Sequence, residues 1–343
     1  MPDSFQPDAP EGPRELSSMS FLVTGGTGSF GRSFVKYLLE QIEPRRVVVF
    51  SRDELKQSEM AEVLSPADYP SIRYFLGDVR DRDRLEMALR DVNVVVHAAA
   101  LKQVPAAEYN PFECIHTNVL GAENVVRASI RAGVQKVIAL STDKAVNPIN
   151  LYGASKLAAD KIFVAANNLS GESGPKFSVV RYGNVLGSRG SVVPRFQKLI
   201  REKADALPVT HPQMTRFWIT LGQAVEFVAR CIQRMRGGEI FVPKLPSMSI
   251  LNLAKALAPD LPHSTIGVRP GEKLHEALIT EDDARSTVDI GDAYVITPSI
   301  RFANFGDYSQ APKVPTGFRY TSNENPDVLS GEDLLRLLEY KEQ

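Results

Sequence analysis

The stretch Thr24-Gly25-Gly26-Thr27-Gly28-Ser29-Phe30-Gly31 separates an apolar run from a helical pattern, and it restricts the possible folds more than any other part of the chain. Glycines at 25, 28 and 31 allow a tight turn and a close approach of backbone N–H groups to a pyrophosphate at a helix N-terminus. Such a turn means little alone and much between a strand and a helix. Short apolar runs at 21–23, 47–50, 72–76, 92–96 and 137–140 predict strands buried on both faces. Helical patterns at 33–41, 53–64, 82–89 and 112–132 alternate with them. This alternation predicts an α/β fold with a doubly wound parallel sheet.

A second segment, 141–161, carries the chemistry. Tyr152 and Lys156 form a Tyr-x-x-x-Lys pair, so on a helix they share one face a turn apart. An ammonium beside a phenol favours the phenolate and predicts a tyrosine pKa drawn below its usual value of about 10. Such a tyrosine takes a proton from a sugar or alcohol hydroxyl while a neighbouring cofactor takes the hydride. Upstream lie Thr142 and the dipeptide Asp143-Lys144, charges that simple alcohol oxidation does not require.

The 343 residues carry 40 basic and 41 acidic side chains, a net charge of −1 that argues against a nucleic-acid or membrane-surface partner. Two cysteines, Cys114 and Cys231, are too few and too far apart for a disulfide framework or metal site. With no apolar stretch long enough to span a bilayer, a cytoplasmic protein is expected. The histidines show no metal-ligand spacing, and no metal is expected; His97, ending a strand, reads as a hydrogen-bonded core residue. Residues 1–18, rich in Pro, Asp, Glu and Ser, read as a disordered extension. Residues 19–185 read as the dinucleotide-binding domain. After about residue 185 the rhythm loosens, with helices expected at 221–235, 250–258 and 330–340, and 186–343 reads as a smaller lobe interleaved with the first.

The end of the second strand addresses the cofactor. An acidic residue there accepts from the ribose 2′-hydroxyl of NAD, whereas cations meet the 2′-phosphate of NADP. Ser51 and Arg52 occupy the turn and Lys56 follows one helical turn later, which favours NADP over NAD; Asp53 is the counter-evidence unless it caps the helix. Arg52 and Lys56 are also compatible with plain surface charges. Asp78 and Val79 after the third strand suit the adenine edge, and Ala98, Ala99 and Ala100 after the fourth leave room for a ribose.

Together TGGTGSFG, GDVRD, HAAALKQVP and Tyr152-x-x-x-Lys156 resemble an extended short-chain dehydrogenase/reductase from about Ser20 to about Leu338. Within that superfamily STDKAVNPINLYGASKLAADK, Arg181–Ser188 and SNENPDVLSGEDL resemble the inverting UDP-N-acetylglucosamine 4,6-dehydratases of the pseudaminic acid type. Retaining sugar-nucleotide dehydratases carry Asp-Glu where this chain has Asp143-Lys144.

The resemblance implies oxidation at C4, loss of water across C5–C6 and return of the hydride to C6. It gives Tyr152 the C4 hydroxyl proton, Lys156 the phenolate and the nicotinamide ribose, and Thr142 the C4 oxygen. Lys144 becomes the C5 base, which requires it to be neutral when it acts, and Asp143 the acid for the C6 hydroxyl. The cofactor is expected to touch Gly25, Thr27, Gly28, Ser29, Phe30, Gly31, Lys102, Tyr182, Gly183, Asn184 and Val185. The UDP-sugar is expected at Lys102, Asn184, Val192, Val193, Arg216, Arg269 and Glu272, with Arg216 and Arg269 on the diphosphate. A homo-oligomer follows from the family's habit. Two other readings stay open: a UDP-sugar 4-epimerase, which needs no C5 base, and a sugar-nucleotide-binding protein without turnover.

Overall fold

Strands β1 (Ser20–Thr24), β2 (Arg46–Ser51), β3 (Ile72–Leu76), β4 (Val94–His97), β5 (Lys136–Thr142) and β6 (Lys176–Tyr182) run parallel in the order β3-β2-β1-β4-β5-β6. This is seen in a computed structural model that describes residues 16–299 and 305–339. Ile240–Pro243 adds in parallel beside β6, and Ala293–Ile296 and Thr287–Asp289 complete the nine-stranded sheet in antiparallel fashion. Helices on both faces bury the β-branched runs; Phe21, Val47, Val94 and Val137 are fully buried. Chain order reverses between β1 and β4, and the crevice at their C-terminal ends is where open α/β sheets bind ligands.

The second half returns to this sheet after building a smaller lobe. The lobe has its own core around Trp218, Phe196, Leu253 and Met248, with the short sheet of Asn184–Val185, Thr215–Ile219 and Ser247–Ser249 alongside. The C-terminal helix, expected at 330–340, runs Gly331–Glu339. Of the expected N-terminal extension, residues 1–15 lie outside the described residues, whereas Leu16 is packed into the main core.

The local sequence misled at two helices. The first begins at Ser29, directly on the glycine-rich turn, rather than at 33, and its last turn widens into a π-turn at Leu38–Ile42. The single helix expected over 112–132 is broken into Pro111–Ile115, a π-turn at His116–Leu120, and Gly121–Ala132, preceded by an unpredicted Val104–Tyr109. Asn118 in the π-turn accepts from the Leu101 N–H at 2.8 Å and donates to its carbonyl at 2.9 Å. The helix thereby anchors the loop after β4, a tertiary demand invisible to helical periodicity.

Candidate active site

Gly25 adopts φ +63°, and a Cβ there would lie 2.9 Å from the Ala99 backbone, so only glycine lets the first turn nest against the loop after β4. That loop is pinned from below: Thr24 Oγ1 accepts from the Ala98 and Ala99 N–H groups at 3.2 and 3.3 Å and pairs with His97 Nδ1 at 2.9 Å. His97 is buried, and its pKa is pushed down to about 3 by burial and by the Lys156 charge, so it stays neutral, a core residue as its position suggested. The Ser29–Tyr37 helix is capped by Gly28 without any side-chain hydrogen bond, leaving its first N–H groups to the crevice.

At the edge of β2, Asp53 accepts from the Lys56 N–H at 3.0 Å and so caps the Glu54–Val63 helix; Lys56 Nζ also pairs with it. Arg52, about half exposed, stands 3.6 Å from Asp78 Oδ2. The Asp53 carboxylate, held below its usual pKa by its bonds to Lys56, is therefore committed to the helix end.

At the C-terminal end of β5 the chain closes into a 3-10 turn, Asp143–Ala145. Thr142 Oγ1 donates to Asp143 Oδ1 at 2.9 Å, and Lys144 Nζ donates to the same oxygen at 2.9 Å. Asp143 is wholly buried and its Oδ2 has no hydrogen-bond partner. Asn150 caps the Leu151–Ser170 helix by accepting from the Gly153 N–H at 2.7 Å, and its amide donates to the Gly271 carbonyl at 2.8 Å. The first turn of that helix carries Tyr152, which faces Thr142 and Lys144, and the next carries Lys156. One turn further, Asp160 accepts from Ser141 Oγ at 2.8 Å and pairs with buried Arg181 at 3.4 Å.

The titration behaviour departs from two expectations. Burial raises the Tyr152 pKa to about 12, outweighing the opposing pull of the Lys144 ammonium, so the phenol is not pre-ionised in this state. Among the charges acting on the phenol, that of Lys144 is the largest. Burial also draws Lys144 downward, but the carboxylates of Asp143 and Glu276 outweigh it and the pKa is raised, so Lys144 rests as a cation and not as the neutral amine its expected role demands. Lys156 goes the other way, lowered by burial against the restoring charge of Asp160.

One crevice of about 600 Å³ is lined by the entire expected cofactor set: Gly25, Thr27, Gly28, Ser29, Phe30, Gly31, Ser51, Arg52, Lys56, Asp78, Val79, Ala98, Ala99, Ala100, Lys102, Tyr152, Lys156, Tyr182, Gly183, Asn184 and Val185. Thr142 and Lys144 line it too; Asp143 lies just behind them. The expected sugar-nucleotide set is dispersed. Only Lys102 and Asn184 face this crevice, and Lys102 Nζ donates to the Arg189 carbonyl at 3.2 Å. Val193 is buried in the small lobe's core with Val192 packed against it. Arg216 is buried, and its guanidinium donates to the carbonyls of Thr215, Lys273 and Leu274 at 2.7, 3.0 and 3.2 Å. It braces the 273–276 segment. Arg269 is exposed and paired with Glu272.

Two buried carboxylates escaped the sequence reading. Asp160 had a signal, since it lies one helical turn beyond Lys156 on the same face. Glu276 had none; it reaches Lys144 only because the 269–276 loop folds back over the 3-10 turn, with Lys273 Nζ donating to the Val146 carbonyl at 2.5 Å.

Comparison with known proteins adds to this geometry. A family profile described as Polysaccharide biosynthesis protein matches residues 21–298. A Campylobacter jejuni protein named UDP-N-acetylglucosamine 4,6-dehydratase (inverting) is 55% identical over 95% of this chain and 99% of its own length. A Rickettsia canadensis protein named UDP-glucose 4-epimerase is 40% identical over 93% of this chain and 95% of its own. Among solved structures, Pen from Bacillus thuringiensis superposes with a TM-score of 0.87 at 36% identity, covering 95% of this chain and 99% of that one. DesIV, a dTDP-glucose 4,6-dehydratase from Streptomyces venezuelae solved with NAD, shares the fold at 24% identity and TM-score 0.68, covering 83% of this chain and 94% of its own. The chain thus belongs to the polysaccharide biosynthesis protein family of extended short-chain dehydrogenase/reductases, the group that resembles the inverting UDP-N-acetylglucosamine 4,6-dehydratases.

Proposed function

We infer that this protein is a UDP-N-acetylglucosamine 4,6-dehydratase that inverts C5, a hydro-lyase acting on a sugar nucleotide. The observation carrying this is the Thr142-Asp143-Lys144 turn facing Tyr152 at the end of β5: a buried carboxylate and an amine beside the alcohol-oxidising pair. The 55% identity to the Campylobacter jejuni enzyme supports it.

A nicotinamide dinucleotide fits the crevice: the Gly25 cradle excludes a Cβ, and the uncapped helix N-terminus is free for a pyrophosphate. When bound it accepts a hydride from C4 and supplies one at C6. NADP is the proposed form, since Arg52 and Lys56 line the crevice and Asp53 is engaged as the helix cap. NAD in DesIV belongs to a neighbour alike in fold alone.

In the proposed cycle Tyr152 takes the C4 hydroxyl proton, with Lys156 and Lys144 supplying positive charge around the phenolate. Thr142 orients the C4 oxygen. The 4-keto group acidifies the C5 proton, which passes to Lys144 in its neutral form; Lys144 hands it across the 2.9 Å contact to Asp143, which protonates the departing C6 hydroxyl so that water leaves. Reprotonation on the opposite face inverts C5. Lys102 and Asn184 are the proposed sugar contacts within the crevice, with Arg269 and Glu272 at the nucleotide end. Self-association is proposed through the helices carrying exposed Tyr109 and Phe112. Among the described residues no helix is long and apolar enough to cross a membrane, and no cluster fits a metal.

The 4-epimerase reading draws on the Rickettsia relative. Incubation with UDP-N-acetylglucosamine in deuterated water, followed by proton NMR, separates the two. A C6 methyl signal with deuterium at C5 is expected. A gluco-to-galacto change with C6 intact would establish epimerisation instead, and an unchanged substrate would leave a binding protein.

A further inference from the structure

Glu276 ends the 269–276 loop and is 2% exposed. Its Oε1 lies 3.7 Å from Lys144 Nζ and 3.8 Å from Arg216 Nε, and its Oε2 lies 3.5 Å from Lys273 Nζ. Its backbone is fixed by Ser322, whose Oγ accepts from the Glu276 N–H at 3.0 Å and whose N–H donates to the Glu276 carbonyl at 2.8 Å. An ion buried this deeply is costly unless its partners are well placed, yet Oε2 has no hydrogen-bond partner. Two of the neighbouring cations are already satisfied by carbonyls, Arg216 by Thr215, Lys273 and Leu274, and Lys273 by Val146. Lys144 is different: its ammonium stands between two buried carboxylates, Asp143 on its own turn and Glu276 from the opposite lobe.

Asp143 Oδ1 already accepts from Thr142 and Lys144. Burial and the Asp143 charge raise the Glu276 pKa against the pull of Lys144, Arg216 and Lys273, so Glu276 accepts a proton more readily than an ordinary carboxylate. From the adjoining helix Tyr152 also faces Lys144, and His275 faces Arg216.

We propose that Glu276 is the positioning residue for Lys144, holding its ammonium in the resting enzyme and taking its proton before Lys144 acts on C5. The step balances within the pair: a Lys144 Nζ–H bond breaks, a Glu276 Oε–H bond forms, and the freed nitrogen lone pair accepts the C5 proton. The net charge of the pocket is unchanged until the carbon acid ionises. This rests on the dehydratase reading for its chemistry, whereas the Lys144–Glu276 pairing stands without it.

The test uses the full chain with E276Q and E276D. Lysine side-chain NMR, with the Lys144 signal assigned by its loss in K144R, follows the Lys144 titration. In E276Q its midpoint should fall by about one pH unit, because an attractive carboxylate has been removed. With NADP and UDP-N-acetylglucosamine, exchange of the C5 proton into deuterated water should drop roughly 100-fold, while C4 oxidation, read as nicotinamide absorbance, changes little. E276D keeps the charge one methylene further away and should lie between; if E276Q does not fold, E276D carries the same comparison. An unmoved Lys144 midpoint, or equal loss of C5 exchange and C4 oxidation, would overturn the proposal. Wild-type protein that forms no methyl product while the midpoint still shifts would sink the dehydratase reading and leave the pairing intact.

Discussion

A Cβ on Gly153 would lie 2.2 Å from the Lys144 carbonyl oxygen, so the Tyr152 helix and the Asp143–Ala145 turn meet at a point only glycine allows. The contact fixes how far Lys144 stands from the phenol. Tyr152 precedes that glycine and Lys144 owns the carbonyl, so the spacing of the proposed base and the proposed alcohol-oxidising tyrosine is a backbone property.

Gly153→Ala must therefore push the two elements apart. We expect overpacking to cost about 1–3 kcal/mol in urea unfolding. Methyl formation from UDP-N-acetylglucosamine should fall by about 100-fold, the scale for misplacing catalytic groups by roughly 1 Å. Retention of wild-type activity in the folded variant would show that this spacing does not matter.

Arg52 is the exposed cation at the end of β2. Removing it as Arg52→Ala should weaken NADP binding by about tenfold or more, from the loss of a charged hydrogen bond worth ~1.5–3 kcal/mol. NAD affinity should stay nearly constant. Parallel titrations with the two reduced cofactors, followed by fluorescence, read this; equal weakening of both would point to NAD as the natural partner.

Arg181 and Asp160 pair at 3.4 Å beneath the site, at 3% and 2% exposure. Breaking one member leaves a buried charge, so Arg181→Met should lose about 3–5 kcal/mol in urea unfolding. Adding Asp160→Leu should recover part of it. A loss under ~1 kcal/mol for the single change would mean that water, Ser141 and the Lys156 charge satisfy the carboxylate.

His97 sets an acid limit on stability. Its folded pKa of about 3 lies below the ordinary value of 6.5, so the unfolded chain binds the extra proton throughout that window. Stability from this residue is complete above about pH 6.5 and is lost as the pH falls towards about 3. The unfolding free energy should drop by about 2 kcal/mol between pH 7 and pH 5 from this group. His97→Gln should flatten that dependence, and a variant with the wild-type slope would assign it elsewhere.

Local order along the chain determined the parallel strands, the glycine turn between β1 and its helix, and the helical Tyr152–Lys156 spacing. These depend on contacts a few residues apart, where β-branched runs, glycine conformational freedom and the helical repeat act directly. It did not determine the break at His116–Leu120, which follows from Asn118 gripping Leu101 across 17 residues of chain. Nor did it determine the protonation of the pocket. The Tyr152-x-x-x-Lys156 spacing suggested a phenol drawn down by its neighbour, but burial, which no local pattern encodes, raised it. Lys144 reversed in the same way, because folding set it between its buried neighbour Asp143 and a carboxylate 132 residues further along, Glu276. Arg216, expected at the diphosphate, donates to two carbonyls of that same loop, Lys273 and Leu274, and to that of its own neighbour Thr215. Residue type and spacing settle which groups enter the crevice, whereas charge states depend on desolvation and long-range pairing, which exist only once the two lobes close on each other.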